Sequence, residues 1–484
     1  MHHPFQVIAK ISRPEKQFLL AASGPKLLCV NLEDGTIASQ WQAEVVKTAA
    51  VSEKLKTEES NEPPAKKRKT AQPEQEAPNV TAIEITPDGS HAVIVTGEDK
   101  TIRVFHVSSE GVLTEKSQRC MAKRPSAITL TNEGNMILCA DKFGDAYSLP
   151  LLPTPEQDEA ARQAAVNIAK PREPAASETT VHSKANRRAL EYQRKQAEEK
   201  TKDNAQEKDH LKLKETLLFA HDLLLGHVAM VIDIIAAQKP PVKEGQRPRS
   251  YVITSDRDEH IRVSRGPPQS HVIESFCLGH GEFVSKLCLV DPDILVSGGG
   301  DDDLFVWDWL GGRLLSKLSL RSAVIRVTGQ SEDDCKIAVS GLWLLPGTTA
   351  EQNRLLIGCE GVPALFHCAV STLQDDNATI DTFPLDGNLL DLAIDKGLII
   401  VSIDNIHKPT SVTDIDNSTI FKPRLQIFTL DEALQNQTET FRHQLVEVNE
   451  MMTTEWHEKS LRTLLYGIGP LRKRRNEYGA DLEE

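Results

Sequence analysis

The chain has 484 residues, 39% hydrophobic and only 5% aromatic, with 56 Lys and Arg against 70 Asp and Glu. The formal net charge of −14 excludes nucleic-acid binding by bulk electrostatics, because phosphate neutralisation needs clustered cations. No run approaches the roughly 18 apolar residues of a membrane helix, and MHHPFQVIAK lacks the charged-then-apolar pattern of a signal peptide.

Taken in chain order, the sequence alternates short apolar strands with tight Gly/Asp turns. The first pair is FLLAASGPKLLCVNL (18–32), preceded by FQVIAKI, a strand with two places open to it, its own sheet or the last one. A polar insertion, 47–78, follows; it is rich in Glu, Lys and Pro and is expected to be disordered. Within it Lys66, Lys67, Arg68 and Lys69 form a basic run between accessible polar flanks, which reads as a nuclear localisation signal. The expected compartment is the nucleus. The strand pairs HAVIVTGEDKTIRVFHV (91–107) and NMILCADKFGDAYSL (135–149) come next. A second polar insertion, 153–210, has helix-forming composition in its latter half without a sustained apolar face, so it is expected to be a solvated helix or disordered. Then come YVITSDRDEHIRVS (251–264), DILVSGGGDDDLFVWDW (293–309) and RLLIGCEGVPALFHCAV (354–370), and GLIIVSID (397–404) pairs with RLQIFTL (424–430). Residues 431–484 form a C-terminal extension. The 8 cysteines make no C-x-x-C pair and mostly sit in the apolar runs, which reads as buried free thiols in a reducing compartment.

The turns recur with a period. Landmarks at Ser23, Gly97, Ala140, Ser255, Gly299, Glu360 and Ile403 lie 74, 43, 115, 44, 61 and 43 residues apart. Three spacings match the WD40 period of roughly 40–45 residues. The first two excesses match the insertions and the loop 239–250, and the third is assigned to the polar stretch TTAEQNR. The blade chemistry agrees. A WD40 blade opens with Gly-His, carries an Asp in the turn between its second and third strands that bonds back to the His, and closes on Trp-Asp. Gly279-His280 precedes Asp301 and Trp307-Asp308, Gly226-His227 precedes Asp258, and Asp99 leads the strand Ile102–Phe105 without a Gly-His. The expected fold is all-β, a seven-bladed WD40 β-propeller with two long polar insertions, spanning 1–430 as a single domain. Asp99, His227, Asp258, His280, Asp301, Trp307 and Asp308 are then blade-structural residues, not ligands.

The sequence carries no G-x-x-x-x-G-K-[ST], H-E-x-x-H, G-x-S-x-G or G-x-G-x-x-G motif. Neither a catalytic residue nor a metal site is expected, and the G-x-G of Tyr466–Pro470 lacks the preceding strand a cofactor loop needs. Lys239, Lys243, Arg247 and Arg249 cluster in one loop and are candidate RNA phosphate contacts, but no interleaved aromatics offer base stacking. Arg472–Arg475 is a second basic patch of the same kind. In Ser255–Ser264, alternation from Ile261 and Val263 turns His260, Arg262 and Ser264 to the opposite face. A charged strip at a blade rim suits a protein partner.

TSDRDEHIRVS (254–264) and ESFCLGHGEFVSKL (274–287), with ADKFGDAYSL (140–149) and LLGHVAMVIDI (224–234), resemble the WD-repeat, non-catalytic subunit of eukaryotic tRNA (guanine-N(7)-)-methyltransferase in its fungal form. The resemblance is close over the third to fifth blades and thins in the insertions and the C-terminal extension. It implies a heterodimer with a separate catalytic subunit that binds S-adenosylmethionine and forms N7-methylguanosine in the tRNA variable loop. On that reading this chain stabilises the active conformation of its partner, meets tRNA mainly through the complex and has no membrane role. The resemblance carries partner binding to Arg257, Asp258, Glu259, His260 and Arg262. The alternative from the residues alone is a nuclear WD40 scaffold of another assembly, such as ribosome biogenesis; an autonomous enzyme or RNA binder is the third class.

Overall fold

In a computed structural model, the described residues are 3–14, 16–44, 77–169, 217–241, 248–375, 378–395, 397–418, 423–429, 448 and 457–473. Their strands form seven antiparallel sheets, six of four strands and one of three. Each sheet is an up-and-down blade, its first strand innermost. The inner strands are Val7–Ser12, Val80–Ile85, Pro125–Leu130, Val231–Lys239, Val284–Leu289, Val339–Leu345 and Asn388–Asp395. They adjoin in that order, and the seventh adjoins the first, so the blades close into a ring. The fold is a seven-bladed β-propeller.

The repeated apolar pairs are the second and third strands of each blade. They are Gln17–Ser23 with Lys26–Asn31 in blade 1 and, in blade 5, Ile294–Gly299 with Asp303–Asp308. Their side chains do not alternate between core and solvent: Leu19, Leu20, Ala21 and Ala22 are all buried. Blades pack face to face, so a middle strand has a neighbour on both sides and needs apolar residues at every position. The same packing corrects one expectation from alternation. Ser264 is on the face opposite Val263 but is fully buried, because that face is covered too. Outer strands have only one neighbour and are charged, as in Leu113–Cys120 (LTEKSQRC).

The strand Val7–Ser12 lies in its own blade, pairing with Gln17–Ser23. Among the described residues no strand is exchanged between the first and last blades. The seam is sealed instead by an apolar cluster joining Phe5, Ile8 and Leu19 to Ala393, Leu398 and Ile400. Polar ties cross it as well. The Ile8 N–H donates to Asp391 at 2.8 Å, Lys10 pairs with Asp395, and Arg424 donates to the His3 carbonyl at 3.2 Å.

The first insertion falls between blades 1 and 2, and 45–76, including Lys66–Lys69, lies outside the described residues. The second leaves blade 3 before its outer strand, Asp222–Gly226. It begins with helix α1 (Pro155–Ala169), opened by a reciprocal cap. The Thr154 N–H donates to Gln157 Oε1 at 2.9 Å, and the Gln157 N–H donates to Thr154 Oγ1 at 3.3 Å. Residues 170–216, which hold its latter half, are outside the described set. The excess between blades 5 and 6, assigned from sequence to TTAEQNR, lies mostly elsewhere. Residues 320–338 connect the blades and contain helix α2 (Arg321–Thr328), which buries Ala323 and Val324 in the core between them.

Candidate functional site: the rim of blade 4

The strip 255–264 is a hairpin joining Arg249–Asp256 to Ile261–Arg265. Asp256 organises its turn. One carboxylate oxygen accepts the N–H groups of Asp258 and His260 at 2.9 and 3.0 Å, and the other accepts His227 Nδ1 at 2.9 Å. His227 Nε2 lies 2.8 Å from Thr254 Oγ1, and the Asp256 carboxylate, which can only accept, calls for an N–H at Nδ1. Burial opposes ionisation of Asp256, but His227 and the turn amides outweigh it and hold the carboxyl below its ordinary range. Glu259 takes the left-handed conformation, φ +74°, that a turn this tight demands.

The acid that staples blade 4 is therefore Asp256. Asp258, two residues on, was the expected staple from turn position. It sits at the solvent-exposed tip, with its side chain 45% accessible and too far along the turn to meet the histidine.

Blade 5 carries the full staple. Asp301 meets His280 Nδ1 at 2.7 Å, His280 Nε2 meets Ser297 Oγ at 2.7 Å, and Trp307 Nε1 donates to Ser297 Oγ at 2.8 Å. Asp308 accepts from Arg313 at 2.8 Å. In blade 2, which lacks a Gly-His, the buried Arg103 takes the place of histidine and bridges Thr96 and Asp99, reaching Asp99 at 2.8 Å. In blade 7, Asp404 meets His407 at 2.6 Å. The sequence reading missed that pair because the histidine follows the acid instead of preceding it.

The five strip residues do not share one environment. Arg257 donates from Nε to the Leu471 carbonyl at 2.9 Å. Asp258 and Glu259 receive Lys473 Nζ at 3.3 and 3.0 Å. The His260 side chain is 51% accessible. Arg262 is half-buried, with Nε donating to Ser264 at 3.0 Å and Nη1 to the Gly226 carbonyl at 3.2 Å. Burial lowers its pKa, yet a guanidinium stays cationic. Phe276 lies opposite Arg262 on the outer strand of blade 4, and Phe276, Leu278 and Val228 are exposed apolar side chains. The rim therefore joins a fixed cation to apolar surface, a combination suited to a protein partner.

The candidate phosphate-binding loop is less open than its composition suggests. Lys239 pairs with Asp293 and lies 4.9 Å from the centre of the Trp309 ring. Arg249 is exposed, and Lys243 and Arg247 fall outside the described residues. Among the described residues no helix is long and apolar enough to cross a membrane.

Seven antiparallel blades, one closed by the full Asp, His, Ser and Trp staple and others by parts of it, define a WD40 propeller, a rigid ring that presents loops and rims for binding. The fold places this chain among the WD40 propellers. Residues 19–428 match the family model described as tRNA methyltransferase TRM82 WD40 domain, and the chain belongs to that family. A relative from Phaeosphaeria nodorum, named tRNA (guanine-N(7)-)-methyltransferase non-catalytic subunit TRM82, is 41% identical with 94% of each chain covered. Relatives of the same name from Coccidioides immitis and Sclerotinia sclerotiorum are each 36% identical, with 98% and 99% of each chain covered, respectively. Among solved structures, a chain of the mitotic checkpoint complex matches with a TM-score of 0.47 and 10% identity, over 84% of this chain and 90% of that one.

Proposed function

We propose that this chain is the non-catalytic scaffold of a two-subunit tRNA (guanine-N(7)-)-methyltransferase. A separate subunit binds S-adenosylmethionine and forms N7-methylguanosine in the tRNA variable loop. This chain docks that subunit on the blade 4 rim and holds it in its active conformation, in the nucleus. The observation that carries the reading is the family match, continuous from residue 19 to 428, together with relatives of that printed name aligned over nearly the whole chain.

The rim supports the reading in physical terms. Arg262 stands on a strand whose neighbours Ile261 and Val263 are fully buried, with His260 just before it, so the cation is presented by a rigid element. Binding the partner therefore costs little ordering of this surface. The net charge of −14 disfavours direct tRNA capture and favours reaching tRNA through the catalytic subunit.

Reconstitution tests the proposal. The catalytic subunit is assayed for N7-methylguanosine formation on tRNA alone and with the full chain. Co-elution and a large gain in activity are expected. In a strain lacking this gene, N7-methylguanosine should disappear from tRNA; unchanged levels would sink the proposal. Recovery of pre-ribosomal proteins as the main partners would favour the ribosome-assembly scaffold instead.

A further inference from the structure

The C-terminal segment crosses the ring from blade 7 to blade 4. Helix α3 (Glu458–Leu465) buries Leu461. Tyr466, also buried, donates its hydroxyl to Asp404 and receives Asn388 Nδ2 at 3.0 Å, both on blade 7. On blade 6 the Glu360 carboxylate accepts the N–H groups of Ile468 and Gly469 at 2.8 and 2.5 Å. Arg472 then inserts between blades 5 and 6. It donates to the carbonyls of Gly300 and Ile337, each at 2.8 Å, and pairs with Glu282 at 3.3 Å. Its guanidinium lies 5.8 Å from the centre of the Phe283 ring. At blade 4 the Leu471 carbonyl accepts from Arg257, and Lys473 meets Asp258 and Glu259.

Three of the five strip residues thus spend their polar groups on this chain's own tail. The segment is not a loosely held competitor for the rim. Its anchors at Tyr466, Gly469 and Arg472 are buried or half-buried and directional, and only its contacts with the blade 4 turn are exposed. That last contact grips the tip of the hairpin at Glu259, where the backbone is left-handed, and the chain passes from this turn through His260 directly into the strand bearing Arg262.

We propose that residues 457–473 are a strap that completes the docking surface. Leu471 and Lys473 position the 257–259 turn, so Asp258 and Glu259 serve partner binding by holding the strap and do not touch the partner. The proposal rests on the reading of the blade 4 rim as the partner site, and it divides that rim into a contact part, His260 and Arg262, and a positioning part, Arg257 to Glu259.

The test titrates the purified full chain against the catalytic subunit and follows binding. Lys473→Glu sets like charges against Asp258 and Glu259 and should weaken binding about fivefold, the scale of an exposed charge contact. Lys473→Arg should bind as wild type. Charge exchange, Lys473→Glu with Asp258→Lys and Glu259→Lys, should restore affinity to within about twofold, because it rebuilds the clasp with the signs reversed. Thermal melting confirms that each variant is folded. If the charge-exchanged variant binds no better than Lys473→Glu, the two acids touch the partner and the positioning role is wrong. If Lys473→Glu binds as wild type while Arg262→Glu does not, the strap proposal fails and the rim reading stands. If Arg262→Glu also binds as wild type, the rim is not the partner site and the strap proposal falls with it.

Discussion

Asp256 and Asp258 stand two positions apart in one turn and do different work. Asp256 accepts His227 and two turn amides, so its loss orphans a buried imidazole and two N–H groups. Asp256→Asn should lower stability by about 1–3 kcal/mol in urea unfolding, because an amide cannot satisfy all three donors. Asp258→Asn should stay within about 0.5 kcal/mol of wild type, as an exposed substitution does. Equal losses would show that the turn is held some other way. Arg262 is the converse case, with little structural role and a large expected binding role. Its own contacts are one carbonyl and one hydroxyl, so Arg262→Glu should cost at most about 1 kcal/mol of stability. Placing a carboxylate where the rim presents a cation should weaken the complex by about 2 kcal/mol or more. Undiminished co-purification of the folded variant would remove Arg262 from the interface.

At the scale of elements, the middle strands were legible and the edges were not. A strand packed on both faces must be apolar throughout, and that constraint writes a visible run such as HAVIVT into the sequence. An outer strand packs on one side only, so LTEKSQRC carries no such mark. The staples were legible where Gly-His and Trp-Asp survive, in blade 5, and blurred where Arg103 stands in for histidine or Asp256 for the expected Asp258. The partner strip came from a resemblance, since charge on a strand does not by itself say what it meets. The strap was missed because its anchors are mostly backbone groups and distant acids. The compact LLYGIGPLRKR after a long polar extension was the one sign of a docked segment. Blade 3 offers an element-level test. Gly144, at φ +99°, makes the turn between the second and third strands, and its carbonyl accepts the His227 N–H at 2.8 Å. A Cβ there would lie 2.4 Å from the His227 carbonyl oxygen and 2.7 Å from that of Ala229. Gly144→Ala should destabilise by about 2 kcal/mol or more through strain and a displaced blade 4 loop. A melting temperature equal to wild type would show that the turn relaxes freely.

The whole molecule is a ring whose inner strands carry acids, and its stability should record their ionisation. Asp233 accepts the Leu287 N–H and Asp391 accepts the Ile8 N–H, each at 2.8 Å, so both acids tie one blade to its neighbour. Glu84 lies on the inner strand of blade 2, and its carboxyl responds to Asp233, Asp391 and Lys286. Burial, then repulsion from Asp233, pushes Glu84 up to about 8, while Lys286 opposes the shift. Burial likewise pushes Asp391 up to about 6 against two backbone donors. For a carboxyl raised in the folded state, the native ring holds the proton over a range where the unfolded chain has released it. The stabilisation is complete below the ordinary carboxyl range and is lost as pH rises through the folded value. Urea unfolding at pH 5.5 and 8.5 should therefore show the wild type weaker at the higher pH by about 1–3 kcal/mol, the half-buried Glu84 being partly screened by water. Glu84→Gln keeps the shape without the ionisation and should remove most of that difference. The staple acids Asp256, Asp301 and Asp404 are held below their ordinary range and act in the opposite sense, losing stabilisation only as pH falls through the acid range. They leave the interval from 5.5 to 8.5 to carboxyls raised by burial, the inner-strand acids and Glu360 among them, and to His3, His91 and His367, which burial lowers and which lose stabilisation as pH falls. An unchanged pH slope in Glu84→Gln would place the dependence elsewhere in the ring.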